Sequence, residues 1–207
     1  MHPQIGYKEG QARRLKKLLI LLPIFLVLTS LSSCSSGESG ADAVTKAMRD
    51  TVSANYRADI TAHFPSREVS FILDYTYNRE GDDRACVVSP DEIAGMCFTV
   101  TGERSTISFD GANLEMGRLN EDNLSPLSTV PVLMKHWTGG NISEQTNTKI
   151  FDRDAYLIIS RNSGASSAIE TRSWFSKDDL LPLYAEIFSD GERVIQCKFE
   201  RAEHKLQ

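Results

Sequence analysis

The chain has 207 residues, with 23 Lys and Arg against 28 Asp and Glu, and four cysteines. Setting aside its basic first 33 residues leaves 174, with 18 basic and 27 acidic side chains and a net charge near −9. A field of that sign repels polyanions, so neither nucleic acid nor an anionic lipid surface is expected to be held by charge.

The first residues carry Lys8, Arg13, Arg14, Lys16 and Lys17 against the single acid Glu9. Leu18 to Leu28 follows, an eleven-residue apolar run interrupted only by Pro23. A membrane-crossing helix needs about 20 residues. A basic stretch, a short apolar stretch and small residues after it make a secretory signal. The segment ends in Leu31-Ser32-Ser33-Cys34, which resembles the bacterial lipobox. That resemblance implies that diacylglycerol alkylates the Cys34 thiol and that the chain is cut before it. Residues 1–33 are then a lipoprotein signal peptide, and residues 34–40 a short lipidated tether. The expected location is the extracytoplasmic face of the cell membrane. Two or more acyl chains, at about 0.8 kcal/mol per buried CH₂, hold a protein firmly there. The alternatives are an ordinary signal peptide with an incidental cysteine, and an uncleaved anchor.

Beyond the tether, Val44, Met48 and Val52 recur every four residues, and Ser39 with Asp42 makes a helix start, so a helix is expected over 41–54. From Tyr56 the period becomes two. Ile60, Ala62 and Phe64 alternate with polar residues, and Val69, Phe71, Leu73, Tyr75 and Tyr77 form the clearest half-buried strand. Strands over 84–89 and 95–101 come next. A four-residue loop, Pro90 to Ile93, sets Val87 opposite Met96, Ala85 opposite Phe98 and Cys86 opposite Cys97. That register allows a Cys86–Cys97 disulfide, which export would favour; two small buried thiols are the alternative. Asp110-Gly111 suits a tight hairpin turn. Ser125-Pro126 then opens a helix whose one face is Leu127, Val130, Leu133, Met134 and Trp137, ended by Gly139-Gly140. Strands resume over 142–148, 155–161, 168–175, 181–189 and 193–201. A three-residue loop at 190–192 aligns Ile187 with Ile195 and Ala185 with Cys197, which gives a cleaner apolar face than a two-residue loop.

The sequence thus predicts an α+β domain over 41–201, mainly antiparallel β, with 202–207 as a C-terminal tail. A helix precedes a long meander, a helix-bearing insertion sits near the middle, and the chain ends in Trp174, the corner Leu181-Pro182 and a final hairpin. This order resembles the LolA/LppX-like lipoprotein-carrier superfamily, which includes Gram-positive lipoproteins and a clostridial spore-germination lipoprotein. The resemblance implies a curved, incomplete β-barrel sheet wrapped around helices, with an apolar concave face that holds acyl chains in carriers of this fold. Phe71, Leu73, Tyr75, Phe98, Met134, Trp137 and Trp174 are then the candidates to line the cavity; core packing is the alternative for each. A carrier that diffuses would not be tethered, so the Cys34 anchor points to a stationary acceptor or a scaffold.

Catalytic signals are missing. His63, His136 and His204 lie far apart with no metal-ligand spacing. No nucleophile elbow or phosphate loop occurs. Asp178-Asp179 and Asp152-Arg153-Asp154 read as solvated turns. The expectation is a non-enzymatic lipoprotein with no cofactor and no metal, binding a lipid, a lipidated polypeptide or another hydrophobic ligand. The alternative is a membrane-tethered interaction or regulatory module for an envelope or spore-cortex partner.

Overall fold

The computed structural model describes residues 39–119, 124–139, 142–162 and 168–206. The signal segment, the lipobox and Cys34 lie outside the described residues, as do Gly140 and residues 163–166 of the loop expected after the strand at 155–161.

Helix α1 spans Gly40–Asp50. Ser39 and Asp42 form a reciprocal capping box: the Asp42 amide donates to Ser39 Oγ at 3.1 Å, and the Ser39 amide donates to Asp42 Oδ2. Glycine is required at position 40, because a Cβ there would lie 2.3 Å from the ring of Tyr156. The helix is shorter than its period of four suggests. Thr51 ends it in extended geometry, and Val52 already belongs to a strand.

The strands follow as β1 (Thr51–Phe64), β2 (Arg67–Asn78), β3 (Asp83–Ser89), β4 (Cys97–Thr101), β5 (Arg104–Phe109) and β6 (Ala112–Arg118). After helix α2 (Thr129–Gly139) come β7 (Glu144–Ile150), β8 (Arg153–Asn162), β9 (Ile169–Ser176), β10 (Pro182–Ser189) and β11 (Glu192–Leu206). They form one antiparallel sheet in the order β6-β5-β4-β3-β2-β1-β11-β10-β9-β8-β7. The sheet is curved and not closed. Its two halves are simple meanders joined where β1 pairs β11. Strands β6 and β7 are therefore the two edges, and the chain must pass from one edge to the other between them. The passage contains α2. Pro131, at the third helical position, falls where a backbone N–H has no intrahelical acceptor, so it costs the helix no bond. The residues before it, 126–128, form a turn, so the helix opens at Thr129 and not at Ser125.

Both helices lie on the inner face of the sheet. Arg49 Nε of α1 donates to the Thr138 carbonyl of α2 at 3.0 Å, and the Ala41 amide donates to Gln145 Oε1 of β7 at 2.6 Å. The core joins Val44 and Met48 of α1, Val130, Leu133 and Trp137 of α2, and the inner residues Ala54, Tyr56, Ala58 and Ile60 of β1. Burial of these side chains removes the apolar area that drives the fold.

Cys86 pairs with Cys97 and Ala85 with Phe98 in the expected register, although β4 begins only at Cys97 and the connection is the seven residues 90–96, with a 3-10 turn at Asp91–Ile93, in place of four. The two sulfurs are bonded, with Cα atoms 4.1 Å apart. The final hairpin reaches the expected alignment by another route. Ile187 pairs with Ile195 and Ala185 with Cys197, yet Ser189 pairs with Glu192 around a two-residue turn. Asp190 (φ 52°) and Gly191 (φ 86°) make that turn, and a bulge between Ile187 and Phe188 absorbs the extra residue. The C-terminal tail is also corrected. Residues 202–206 continue β11 and pair with β1 as far as Thr51 opposite Leu206.

Candidate functional site

The inner face is fully buried at Phe175, Ala185 and Ile187 of the β8–β11 half, whereas in the half made by β3–β6 the edge strand β6 is exposed along its whole length. On this second half, Phe98 of β4 pairs with Ile107 of β5, and Ile107 with Leu114 of β6, so three strands contribute one apolar row. Phe71 of β2 and Met96 before β4 extend it, and Leu127 closes it from the approach to α2. Together they bound an apolar cavity of about 210 Å³ that also meets Ile93, Met116 and Leu119. Cavities of roughly 150 Å³ already admit benzene-sized apolar molecules. The polar atoms in the wall are satisfied internally. Ser105 Oγ donates to the Gly117 carbonyl at 2.9 Å, and the Ser125 amide donates to Ser128 Oγ at 2.9 Å. The surface presented inward is therefore nearly all hydrocarbon. It continues onto the edge strand β6, where Leu114 is 62% exposed and Met116 is 41% exposed.

A second, larger crevice of about 570 Å³ adjoins the cavity, and Arg118 and Leu119 border both. Its walls are Tyr77, Asp83, Glu103, Met134 and Lys135, with Pro131 and Thr138 along α2. Asp83 accepts from the Asn78 amide at 3.0 Å, and burial pushes its carboxyl above the usual carboxylate range. Arg118 Nη2 lies 2.7 Å from Glu103 Oε2, with both side chains well exposed.

Of the seven predicted lining residues, the structure brings two to the cavity, Phe71 and Phe98. Met134 borders the crevice instead. Leu73, Tyr75 and Trp137 are core residues, because α2 lies across the sheet where they sit. Trp137 packs edge-on against Tyr56 and Phe175, and its Nε1 donates to Ser173 Oγ at 2.9 Å. Trp174 is a correction. The inner side chains of β9 are Thr171, Ser173 and Phe175, which places Trp174 on the outer face against Tyr184, ring centroids 5.3 Å apart. Phe151 continues this outer row, 5.9 Å from Tyr184 and 54% exposed. It stands in a two-residue turn with φ 50°, a conformation that disfavours a bulky side chain. Met96, Ile107 and Leu127 were missed as lining residues. The Cys86–Cys97 register, which puts Met96 on the same face as Phe98, contained a signal for the first of them.

The histidines are dispersed. His63 Nδ1 pairs with Glu68 Oε1 at 2.8 Å, and His136 is buried on α2. His204 Nε2 meets the hydroxyl of the buried Tyr56, and burial pulls the imidazole down to about 4. Cys197 is buried and unbonded, and burial pushes its thiol up, away from nucleophilic chemistry. Among the described residues no group of three or more His, Cys, Asp or Glu side chains is placed to hold a metal.

No protein-family model matches the chain, and no curated protein sequence does. Solved structures match it in fold. An uncharacterized conserved protein from Thermus thermophilus superposes with a TM-score of 0.50 at 8% identity, over 82% of this chain and 90% of that one. A LolA superfamily protein from Nitrosomonas europaea gives 0.43 at 11% identity, over 81% and 94%. The structure of the CwlD amidase from Clostridioides difficile in complex with the GerS lipoprotein gives 0.46 at 12%, over 99% and 100%. The element order is the one that the sequence resemblance implies, and the fold is shared with the uncharacterized Thermus thermophilus protein.

Proposed function

We propose that the chain is a membrane-anchored extracytoplasmic lipoprotein, cut before Cys34 and lipidated there, whose domain binds a lipid or lipidated ligand without catalysis. The observation that carries the binding role is the apolar cavity lined by Phe71, Met96, Phe98, Ile107 and Leu127, continuous with exposed Leu114 and Met116. A core of the same composition would be closed by its own helices; here, among the described residues, α2 and Leu127 before it leave the β4–β6 side open. Contiguous exposed hydrocarbon of this kind marks a binding surface. The anchor places that cavity beside a supply of acyl chains, and binding needs no basic patch. Native mass spectrometry of the protein extracted from its own membrane tests this: one lipid-sized adduct per chain is expected, and a chain that is always empty contradicts it. Mass analysis of the N-terminal peptide should find diacylglycerol on Cys34, and an unmodified or uncleaved Cys34 would remove the anchor.

A second reading, a tethered interaction module for an envelope partner, is favoured by the outer row of Trp174, Tyr184 and the exposed Phe151. Aromatic anchors of this kind are enriched at protein interfaces. A photo-crosslinking residue at position 151 should then trap one envelope protein in stoichiometric amount, and a position that traps none argues against this reading.

A further inference from the structure

The cavity and the crevice share Arg118 and Leu119, so an apolar pocket and a charged one meet along one border. The crevice carries two cations, Arg118 and Lys135, and two anions, Asp83 and Glu103. A cleft built for a purely anionic head group would carry an excess of cations, and the chain from Cys34 onward has a net charge near −9, which repels such a ligand from a distance. One built for an uncharged head group would leave four charged side chains with nothing to do for it. The balanced set is complementary to a head group that bears one charge of each sign.

We infer that the groove takes an amphiphile with a zwitterionic head group, its acyl chain in the apolar cavity, its phosphate at Arg118 and Lys135, and its ammonium at Asp83 and Glu103. This rests on the lipid-binding reading above and narrows it to a ligand class. The guanidinium has five N–H donors, so Arg118 has donors for a phosphate while Glu103 Oε2 stays 2.7 Å from Nη2. That exposed ion pair is worth little by itself, and the other Glu103 carboxylate oxygen is left to accept from an ammonium. Asp83 is the better-shielded anion, held in place by the Asn78 amide. An ammonium there would find a carboxylate whose desolvation is already part of the fold, and charge-assisted hydrogen bonds are the strong ones in such settings.

The test is competition among three lysolipids of one acyl chain, bearing phosphoethanolamine, phosphoglycerol or plain glycerol as head group. They are offered in equal amounts to the full chain in nonionic micelles and read by native mass spectrometry. The phosphoethanolamine lipid should be retained about tenfold over each of the others, the factor expected from one additional charge-assisted pair. Arg118→Ala should reduce its lead over the uncharged lipid to within about twofold, and Asp83→Asn its lead over phosphoglycerol, by the same charge-assisted bookkeeping. Lys135→Ala, at an exposed helical position with little demand on folding, should shift retention in the same direction as Arg118→Ala. Equal retention of all three lipids, or preference for phosphoglycerol, overturns the head-group assignment and leaves the cavity reading standing. Retention of none overturns both.

Discussion

Trp137→Phe is the most informative single change, because it separates a core role for this residue from a ligand-lining one. The indole is 6% exposed and packs against Tyr56, Phe175 and Phe199, while its Nε1 donates to Ser173 Oγ. Phenylalanine keeps most of the ring contacts and leaves the buried Ser173 hydroxyl without that donor. An orphaned buried group costs about 1–3 kcal/mol, and the vacated volume adds roughly 1 kcal/mol. The expected loss is about 3 kcal/mol, or about 6–12 °C in Tm for a domain of this size. Ser173→Ala alone orphans the indole N–H instead. In the double variant neither group is orphaned, so the two losses should fall short of additive by about 1 kcal/mol or more. Urea unfolding followed by far-ultraviolet circular dichroism measures all four corners of the cycle. A Trp137→Phe variant that loses less than about 0.5 kcal/mol, or strictly additive losses, would refute the buried hydrogen bond as a stabilising element.

Two further predictions concern charge and covalent structure. Burial lowers His204 from 6.5 to about 4, with Asp179 opposing the shift, so the unfolded chain binds the extra proton between those values. Its contribution is fully present above pH 6.5 and lost as pH falls toward 4. Discounting for partial exposure, stability should fall by on the order of 1 kcal/mol between about pH 7 and pH 5, and His204→Gln should remove that part of the slope in denaturant titrations. An unchanged slope would contradict the buried Tyr56–His204 contact as its source. The Cys86–Cys97 bond closes a loop with a sequence separation of 11, so its reduction should cost about 3 kcal/mol. Thiol titration of the unfolded, unreduced domain should find Cys197 alone among the three cysteines at positions 86, 97 and 197, and three reactive thiols would rule the bond out.

The strand order was legible wherever apolar and polar residues alternate cleanly. Val69 to Tyr77 and the Cys86–Cys97 pair settle face and register together, since a slip of one residue would turn every apolar side chain outward. The hairpin at 190–191 shows the limit of that reasoning: the pairing of Ile187 with Ile195 was readable, but a bulge within the strands produces it, and a bulge has no signature in apolar alternation. The end of β11 was not legible, because Glu203 and Lys205 are exposed and the segment lies beyond the main core. Its partner Thr51–Tyr56 was obscured in turn by the helical spacing of Val44, Met48 and Val52. Trp174 was misplaced for a different reason. Trp174 and Phe175 are adjacent and both aromatic, while the inward neighbours Thr171 and Ser173 are polar, so alternation did not reveal which ring faces the helices. The cavity itself depends on where α2 lies across the sheet, a long-range fact that leaves Leu73 and Trp137 in the core and Ile107 at the opening.

The central claim, that the inner cavity receives a hydrocarbon chain, is tested most directly by plugging it. Ile107 lines the cavity from β5, paired with Phe98 on one side and Leu114 on the other, and is only partly buried. An Ile107→Trp side chain has open space to occupy. A fluorescent fatty acid titrated into the wild-type protein should bind saturably, one per chain. The plugged variant, shown by its unfolding transition to be folded, should bind at least about tenfold more weakly, a difference of about 1.4 kcal/mol. Equal uptake by both proteins would place the chain elsewhere, and no saturable uptake by the wild type would contradict lipid binding by this domain.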